Sequence, residues 1–253
     1  MLEHEYDTMR SVEDRYWWYR VLRGMTVTEV ARAVAHSPEA RILDAGCGTG
    51  GTLEELRREA PSWKLQGFDY SLLALDHTRQ RGFDHAVHGS VDAIPFADDS
   101  QDVIVSLDVL CCGGVDQEKS MEEFRRVLRN DGVLIMNLPA FVCLQGRHDH
   151  AVNSVRRYTA SSLRSLHLRH GFTPERVFCW NAWLFPAVLA WRQISKRLPS
   201  ARTESARSDL VLPPEWLNSA AGAIAAADAK LCRFLGSPVG TSVFSVARVG
   251  KNP

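Results

Sequence analysis

This chain of 253 residues lacks a net charge: 30 lysines and arginines balance 30 aspartates and glutamates. Binding to nucleic acid needs a net basic surface or a strong basic patch, so bulk charge gives no reason to expect a nucleic-acid partner. Long apolar runs are also missing. The longest, Ala182 to Trp191, is too short to span a bilayer, so stable membrane insertion is not expected. Met1 to Arg20 is charged and aromatic, without the apolar centre of an export signal, and the expected location is the cytoplasm. Six cysteines (Cys47, Cys111, Cys112, Cys143, Cys179 and Cys232) include no C-x-x-C pair. They read as reduced, mostly core residues. There is no internal repeat. Hydrophobic residues make up 45% of the chain and charged residues 24%, enough apolar side chain for one large α/β domain with an elaboration.

The stretch that organises the chain is Arg41 to Gly51, RILDAGCGTGG. A short apolar run ends in Asp44, a glycine-rich turn follows, and Thr52 to Leu56 resumes with helical spacing. Gly46, Cys47 and Gly48 form the tight part of the turn. The glycines permit left-handed torsions and let a ligand approach bare backbone. The helix that follows offers free N–H groups and the positive end of its dipole. Gly46, Gly48 and Gly51 fit the dinucleotide pattern G-x-G-x-x-G, a weak signal by itself. Asp44 opposes that reading, because a pyrophosphate would meet a carboxylate. A ligand carrying an ammonium group would welcome it. A glycine turn with no ligand is the bland alternative.

Leu43-Asp44-Ala45-Gly46-Cys47-Gly48-Thr49-Gly50 resembles the first motif of the class I S-adenosylmethionine-dependent methyltransferases. That resemblance spans roughly Arg41 to Phe178 together with the last strand, and implies S-adenosyl-L-methionine as cofactor. Lys64 to Asp69 reads as a second strand ending in an acid. Asp69 stands about twenty residues past the glycines, where nucleotide-binding α/β units take the ribose hydroxyls; its alternative is a helix cap. Tyr70 is placed to stack on the adenine edge. By resemblance, Ser90, Val91 and Asp92 belong to the stretch that contacts adenine, although the family's usual acid is replaced by Ser90. Leu107 ends a buried strand, Asp102 to Leu107, and Asp108 to Cys112 lie at its carboxyl end, the edge where open α/β sheets bind ligands. The (Asn/Asp)-Pro-Pro-aromatic motif of nucleic-acid amino-methyltransferases is absent there, as is the Glu-His pair of many small-molecule relatives.

The N-terminal residues 1–36 read as a helix starting at Ser11, with Glu13 and Asp14 in its first turn. Tyr16 to Tyr19 are four consecutive aromatics, too many for one helix face. They serve as a lid or as packing against the sheet. By resemblance, Trp18 and Arg20 lie in a segment that closes over the cofactor.

Further on, Glu118 to Arg129 reads as an amphipathic helix and Val133 to Leu138 as strand five. The loop from Pro139 to Tyr158 holds His148, Asp149 and His150, then Arg156-Arg157-Tyr158-Thr159. His148 is the first candidate for a general base and His150 the second. Tyr158 joins them as a candidate catalytic residue at the acceptor site. A metal site at the histidines and a solvated loop are the alternatives, and Arg157 is read as pairing with an acid of the core. Residues 182–240 form an elaboration of about sixty residues, far above ordinary connection length. Within it, Ala182 to Leu198 and Glu215 to Leu235 read as helices, Pro199 to Asp209 as polar. It reads as a cover for an apolar acceptor, a membrane-surface element, an extra helical layer or a dimer contact.

The expectation is one α/β domain over residues 1–253, Rossmann-like, with a seven-stranded, mostly parallel sheet and helices on both faces. The resemblance makes its last strand antiparallel, between strands five and six. The expected function is methyl transfer to a small, partly apolar acceptor, with no metal. The alternatives are a protein that binds the cofactor and acts through a partner, other chemistry on the same cofactor, and an NAD-linked oxidoreductase.

Overall fold

The computed structural model describes residues 3–146, 149, 151–195 and 211–250. Its strands are β1 (Arg41–Ala45), β2 (Lys64–Asp69), β3 (Val87–His88), β4 (Gln101–Leu107), β5 (Leu128–Pro139), β6 (Phe172–Trp180) and β7 (Ser242–Val249). They form one sheet in the order β3-β2-β1-β4-β5-β7-β6. All neighbours are parallel except β7, which runs antiparallel to both β5 and β6. The order reverses beside β1. The carboxyl ends of β1, β2 and β4 therefore share one edge of the sheet, the edge where such folds bind ligands.

The helices are α1 (Glu3–Val12), α2 (Trp17–Ala33), α3 (Gly51–Glu59), α4 (Leu72–Gln80), α5 (Gln117–Val127), α6 (Ala160–Arg169), α7 (Phe185–Ser195) and α8 (Glu215–Leu235). Two apolar layers flank the sheet. On one side, Leu43, Ile104, Leu134 and Met136 of the strands meet Met121 and Phe124 of α5 and Leu163 and Leu166 of α6. On the other side, Ile42, Val103, Val133 and Phe244 meet Leu22, Val27 and Val30 of α2 and Ala229 and Cys232 of α8. Strands buried on both faces explain the continuous apolar runs of β1 and β4.

Several sequence boundaries move. Strand five begins at Leu128, because Leu128 pairs with Gln101 before a register shift re-engages the ladder at Val103 and Val133. Asp131, with φ +62, makes the turn inside that irregularity. Helix α5 accordingly stops at Val127. At the N-terminus, the single helix expected from Ser11 is two. Ser11 belongs to the last turn of α1, and its hydroxyl donates to Thr8 O at 2.7 Å instead of capping a helix. Glu13 and Asp14 lie in the break, their carboxylates drawn away from the backbone by Arg23 and Arg81.

Helix α2 opens at Trp17 without a cap from its own N-cap residue, Tyr16. Asn218 of α8 supplies it: Asn218 Oδ1 accepts from Trp17 N at 3.0 Å and Nδ2 donates to Arg15 O at 2.8 Å. Glu29 of α2, buried, pairs with Arg176 of β6 at 2.7 Å and Arg233 of α8 at 3.0 Å. Asp228 of α8 accepts the N–H groups of Ala182 and Trp183 at 3.0 Å, which delays α7 to Phe185. The helices between β6 and β7 and the N-terminal helix are thereby joined on one face of the sheet. Among the described residues no helix is long and apolar enough to cross a membrane.

Candidate active site

A cavity of about 1110 Å³ opens at the carboxyl edge of β1, β2 and β4. Pockets for small ligands run from about 300 to 1,000 Å³, so this one has room for a nucleoside-sized ligand and a second small molecule.

Its floor is the glycine turn. Gly46 (φ +85) and Gly48 (φ +55) adopt left-handed torsions, and the amides of Gly46 and Cys47 both donate to Phe68 O, at 2.9 and 3.0 Å. Asp69 links the turn to α4: its Oδ2 accepts from Gly48 N and its Oδ1 from Ser71 N, each at 2.8 Å. The cap of α4 is Ser71, whose hydroxyl accepts from Ala74 N. Asp44 is buried on the cavity wall, and its Oδ2 has no hydrogen-bond partner. Burial, then repulsion from Asp69, pushes the Asp44 carboxyl up to about 7, with Arg23 pulling it down. Burial also raises Asp69, against the hydrogen bonds from Ser71 and Gly48.

The roof comes from the N-terminus. Tyr6, Met9, Glu13 and all four residues from Tyr16 to Tyr19 line the cavity. Trp18 stacks on Trp180 with centroids 6.0 Å apart and planes 25° apart, so the aromatic run both packs on the sheet and faces the cavity. Glu13 clasps the glycine turn, accepting from Thr49 Oγ1, Arg23 Nη2 and Arg81 Nη2. Burial, then the charge of Asp69, holds the Tyr6 phenol well above its usual range.

Asp44, Gly46, Cys47, Gly48, Asp69, Tyr70, Ser90, Val91, Leu107 and Trp18 all border this one cavity. Tyr70 is exposed and leans on His88, centroids 5.8 Å apart. Three residues expected at the site are not brought to it. Asp92 turns to α5, where its Oδ1 accepts from Ser120 Oγ at 2.6 Å and its Oδ2 from Asp116 N at 3.1 Å. Arg20, one position past the lining aromatics, is exposed on α2. Tyr158 is buried in the core, its hydroxyl 2.7 Å from Gln117 Oε1 and 3.1 Å from Leu110 O. That is a strut between two loops rather than a group facing a substrate. His148 and His150 lie outside the described residues, as does Pro199 to Asp209. Arg157 does pair with an acid, Asp149, at 2.6 Å, and both line the cavity.

Sequence reasoning missed Glu13, Arg23 and Tyr6 because their roles depend on a fold-back of the N-terminus. It also passed over Asp108 as a side chain. Its signal was its place at the end of a buried strand.

Residues 43–136 match the family model described as a methyltransferase domain. That span carries the glycine turn, both buried acids and the β4 edge of the cavity, within the strand order given above. That domain is of the class I S-adenosylmethionine-dependent kind. The chain is similar to the glycine/sarcosine/dimethylglycine N-methyltransferase of Actinopolyspora halophila, 33% identical over 45% of this chain and 21% of the relative. The chain spans less than two thirds of the length of the first curated relatives that it matches. Among solved structures it superposes on a candidate sarcosine dimethylglycine methyltransferase from Galdieria sulphuraria, with TM-score 0.59 and 20% identity, over 90% of this chain and 85% of that one. It superposes also on the geranyl diphosphate C-methyltransferase from Streptomyces coelicolor, with TM-score 0.58 and 14% identity, over 89% and 77% of the two chains. At those identities the likeness is one of fold.

Proposed function

We propose that this protein transfers a methyl group from S-adenosyl-L-methionine to a small, partly apolar acceptor. The observation that carries the reading is the unpartnered carboxylate oxygen of Asp44, buried above the glycine turn. A buried acceptor atom without a donor is costly unless a ligand completes it. The cofactor's ammonium group is such a donor, and the pyrophosphate of NAD is not. Asp69 keeps lone pairs free for ribose hydroxyls beyond its two backbone bonds. Ser90, Val91 and Tyr70 border the side of the cavity that suits adenine, and Leu107 and Trp18 its centre.

When bound, the cofactor supplies a methyl group already attached to a good leaving group. The protein's task is then to align the acceptor and keep water out. The aromatic roof of Tyr16 to Tyr19 does the excluding. The remaining cavity, between that roof, Asp149 to Arg157 and the start of the 182–240 elaboration at Val188 and Arg192, takes the acceptor. Methylated amines and quinones among the products of relatives fit an acceptor of that size.

Calorimetry with S-adenosylhomocysteine and with NAD tests the cofactor half; tighter binding of NAD overturns it. Incubation with methyl-labelled cofactor and a metabolite extract tests the rest. Binding of the cofactor with no label transferred would instead support a protein that binds it and acts through a partner.

A further inference from the structure

Asp108 follows the last residue of β4 with its backbone at φ +58. Side-chain-bearing residues rarely adopt such torsions, Asp and Asn being the most tolerant. Several contacts hold it there. Its N–H donates to Asn137 O at 2.8 Å, and its carbonyl accepts from the Cys111 and Cys112 thiols at 3.2 and 3.5 Å. Both carboxylate oxygens stand 3.1 Å from Asn137 Nδ2. The orientation of that amide is fixed in turn, because Trp180 Nε1 donates to Asn137 Oδ1 at 2.9 Å. Trp180 and Asn137 are fully buried.

Asp108 lines the cavity. One amide nitrogen cannot use the roughly four lone-pair sites of a carboxylate, so this cavity-lining residue keeps acceptor capacity in reserve. The next residue, Val109, packs over Gly46 of the cofactor turn. Asp108 therefore stands at the junction between the half suited to the cofactor and the half bounded by Arg157. The charged and titratable groups around it are Arg157 from the loop before α6, Tyr19 from α2, and Cys111 and Cys112 from its own loop. Burial raises its carboxyl to about 7, opposed by the Asn137 hydrogen bond and the Arg157 charge. A carboxylate that is rigidly backed, desolvated, set in a cavity wall and left with spare acceptor capacity is arranged as a general base.

We infer that Asp108 takes the proton from the attacking O–H or N–H of the acceptor, which makes the acceptor a protonated oxygen or nitrogen nucleophile. The inference rests on the methyl-transfer reading. The heteroatom's lone pair forms the new bond to the methyl carbon, and the methyl–sulfur bond breaks with its pair left on sulfur. The heteroatom's proton passes to a carboxylate oxygen of Asp108, which releases it to water once product has left. A purely structural Asp108 would serve equally well as Asn, which tolerates the same torsion and can still meet the Asn137 amide.

The test uses the full chain, wild type and Asp108→Asn, in three measurements. Calorimetry with S-adenosylhomocysteine comes first; a wild type that does not bind it defeats the methyl-transfer reading itself. Methyl-labelled cofactor is then offered with a panel of phenols, carboxylic acids, alcohols, amines, a thiol and a thioether. The variant should bind S-adenosylhomocysteine within about twofold of wild type, while kcat on an oxygen or nitrogen acceptor falls about 10²–10⁴-fold. The acid limb of the wild-type pH profile should vanish with it. Finally, carbon-detected NMR of the free protein labelled at aspartate should show two carboxyls titrating near pH 7, those of Asp44 and Asp108, of which the variant keeps only the first. Turnover by the variant within threefold of wild type overturns the inference. So does label transfer only to sulfur acceptors or to none of the panel, or an Asp108 midpoint in the ordinary carboxylate range.

Discussion

A methyl group on Gly51 would fall where the guanidinium of Arg23 lies. Gly51 is the third glycine of the G-x-G-x-x-G spacing, and in a dinucleotide fold that glycine serves close packing of helix on strand. Here it makes room for the protein's own N-terminus. Arg23 is buried and paired with Glu13, which also grips Thr49 and Arg81. The clasp holds α1 and α2 over the turn.

Gly51→Ala should therefore loosen the N-terminal roof. Arg23 is too enclosed and too well paired to swing aside freely, so the expected cost is about 1–3 kcal/mol in denaturant unfolding, as for other overpacked sites. Affinity for S-adenosylhomocysteine should fall with it. A change below about 0.5 kcal/mol would mean that the clasp rearranges without strain.

Asp44 predicts a pH dependence. Its folded carboxyl titrates near 7 against an ordinary value near 4 in the unfolded chain. The folded state thus binds more protons between those limits, and stability should fall as pH rises from about 4 to 7, then level off. Asp108 acts in the same direction. Asp44→Asn should raise the melting temperature of the free protein at pH 8 and leave it unchanged at pH 4. The same substitution should weaken S-adenosylmethionine binding at pH 7.5 by on the order of 1–3 kcal/mol. Wild-type affinity should rise toward pH 7 and fall again as the ligand's own amine loses its proton near pH 8. A flat affinity profile would count against an ammonium at Asp44.

Tyr158→Phe separates a strut from a catalyst. Loss of the bonds to Gln117 and Leu110 should cost about 1 kcal/mol of stability, with turnover at a temperature below the transition nearly unchanged. A loss of turnover of a hundredfold or more would return Tyr158 to the chemistry.

Asn218→Ala removes the cap of α2 and should cost about 1–2 kcal/mol. It should also raise acrylamide quenching of Trp17, measured against single replacements of Trp17 and Trp18. In the wild-type protein, bound S-adenosylhomocysteine should lower the quenching of both. An identical profile with and without ligand would leave packing as the only role of the aromatic run.

The sequence alone determined the alternation of strands and helices, the glycine turn and the two acids beside it. Those features are local: an apolar run ending in Asp44, two glycines at their spacing, and a second strand ending in Asp69. Each is set by residues within a few positions, so pattern and torsional preference suffice. The helix from Glu215 to Leu235 was legible for the same reason, its periodicity ending at Gly236 with φ +70.

Tertiary structure alone decided what faces the cavity. Glu13 and Asp14 read as an acidic first turn, yet charges on Arg23 and Arg81 pull them into a break between helices. The cap of α2 comes from Asn218, some 201 positions along the chain, and no local pattern encodes that. Asp92 and Ser90 stand two residues apart in one motif, yet Ser90 borders the cavity while Asp92 serves the start of α5. Tyr158 and Asp108 both carry polar groups that could do chemistry. The core took one as a strut and left the other in the cavity wall. The physical reason is that burial and hydrogen-bond satisfaction depend on which elements meet, and those meetings are made by β7 returning between β5 and β6 and by the N-terminus folding back over the sheet edge.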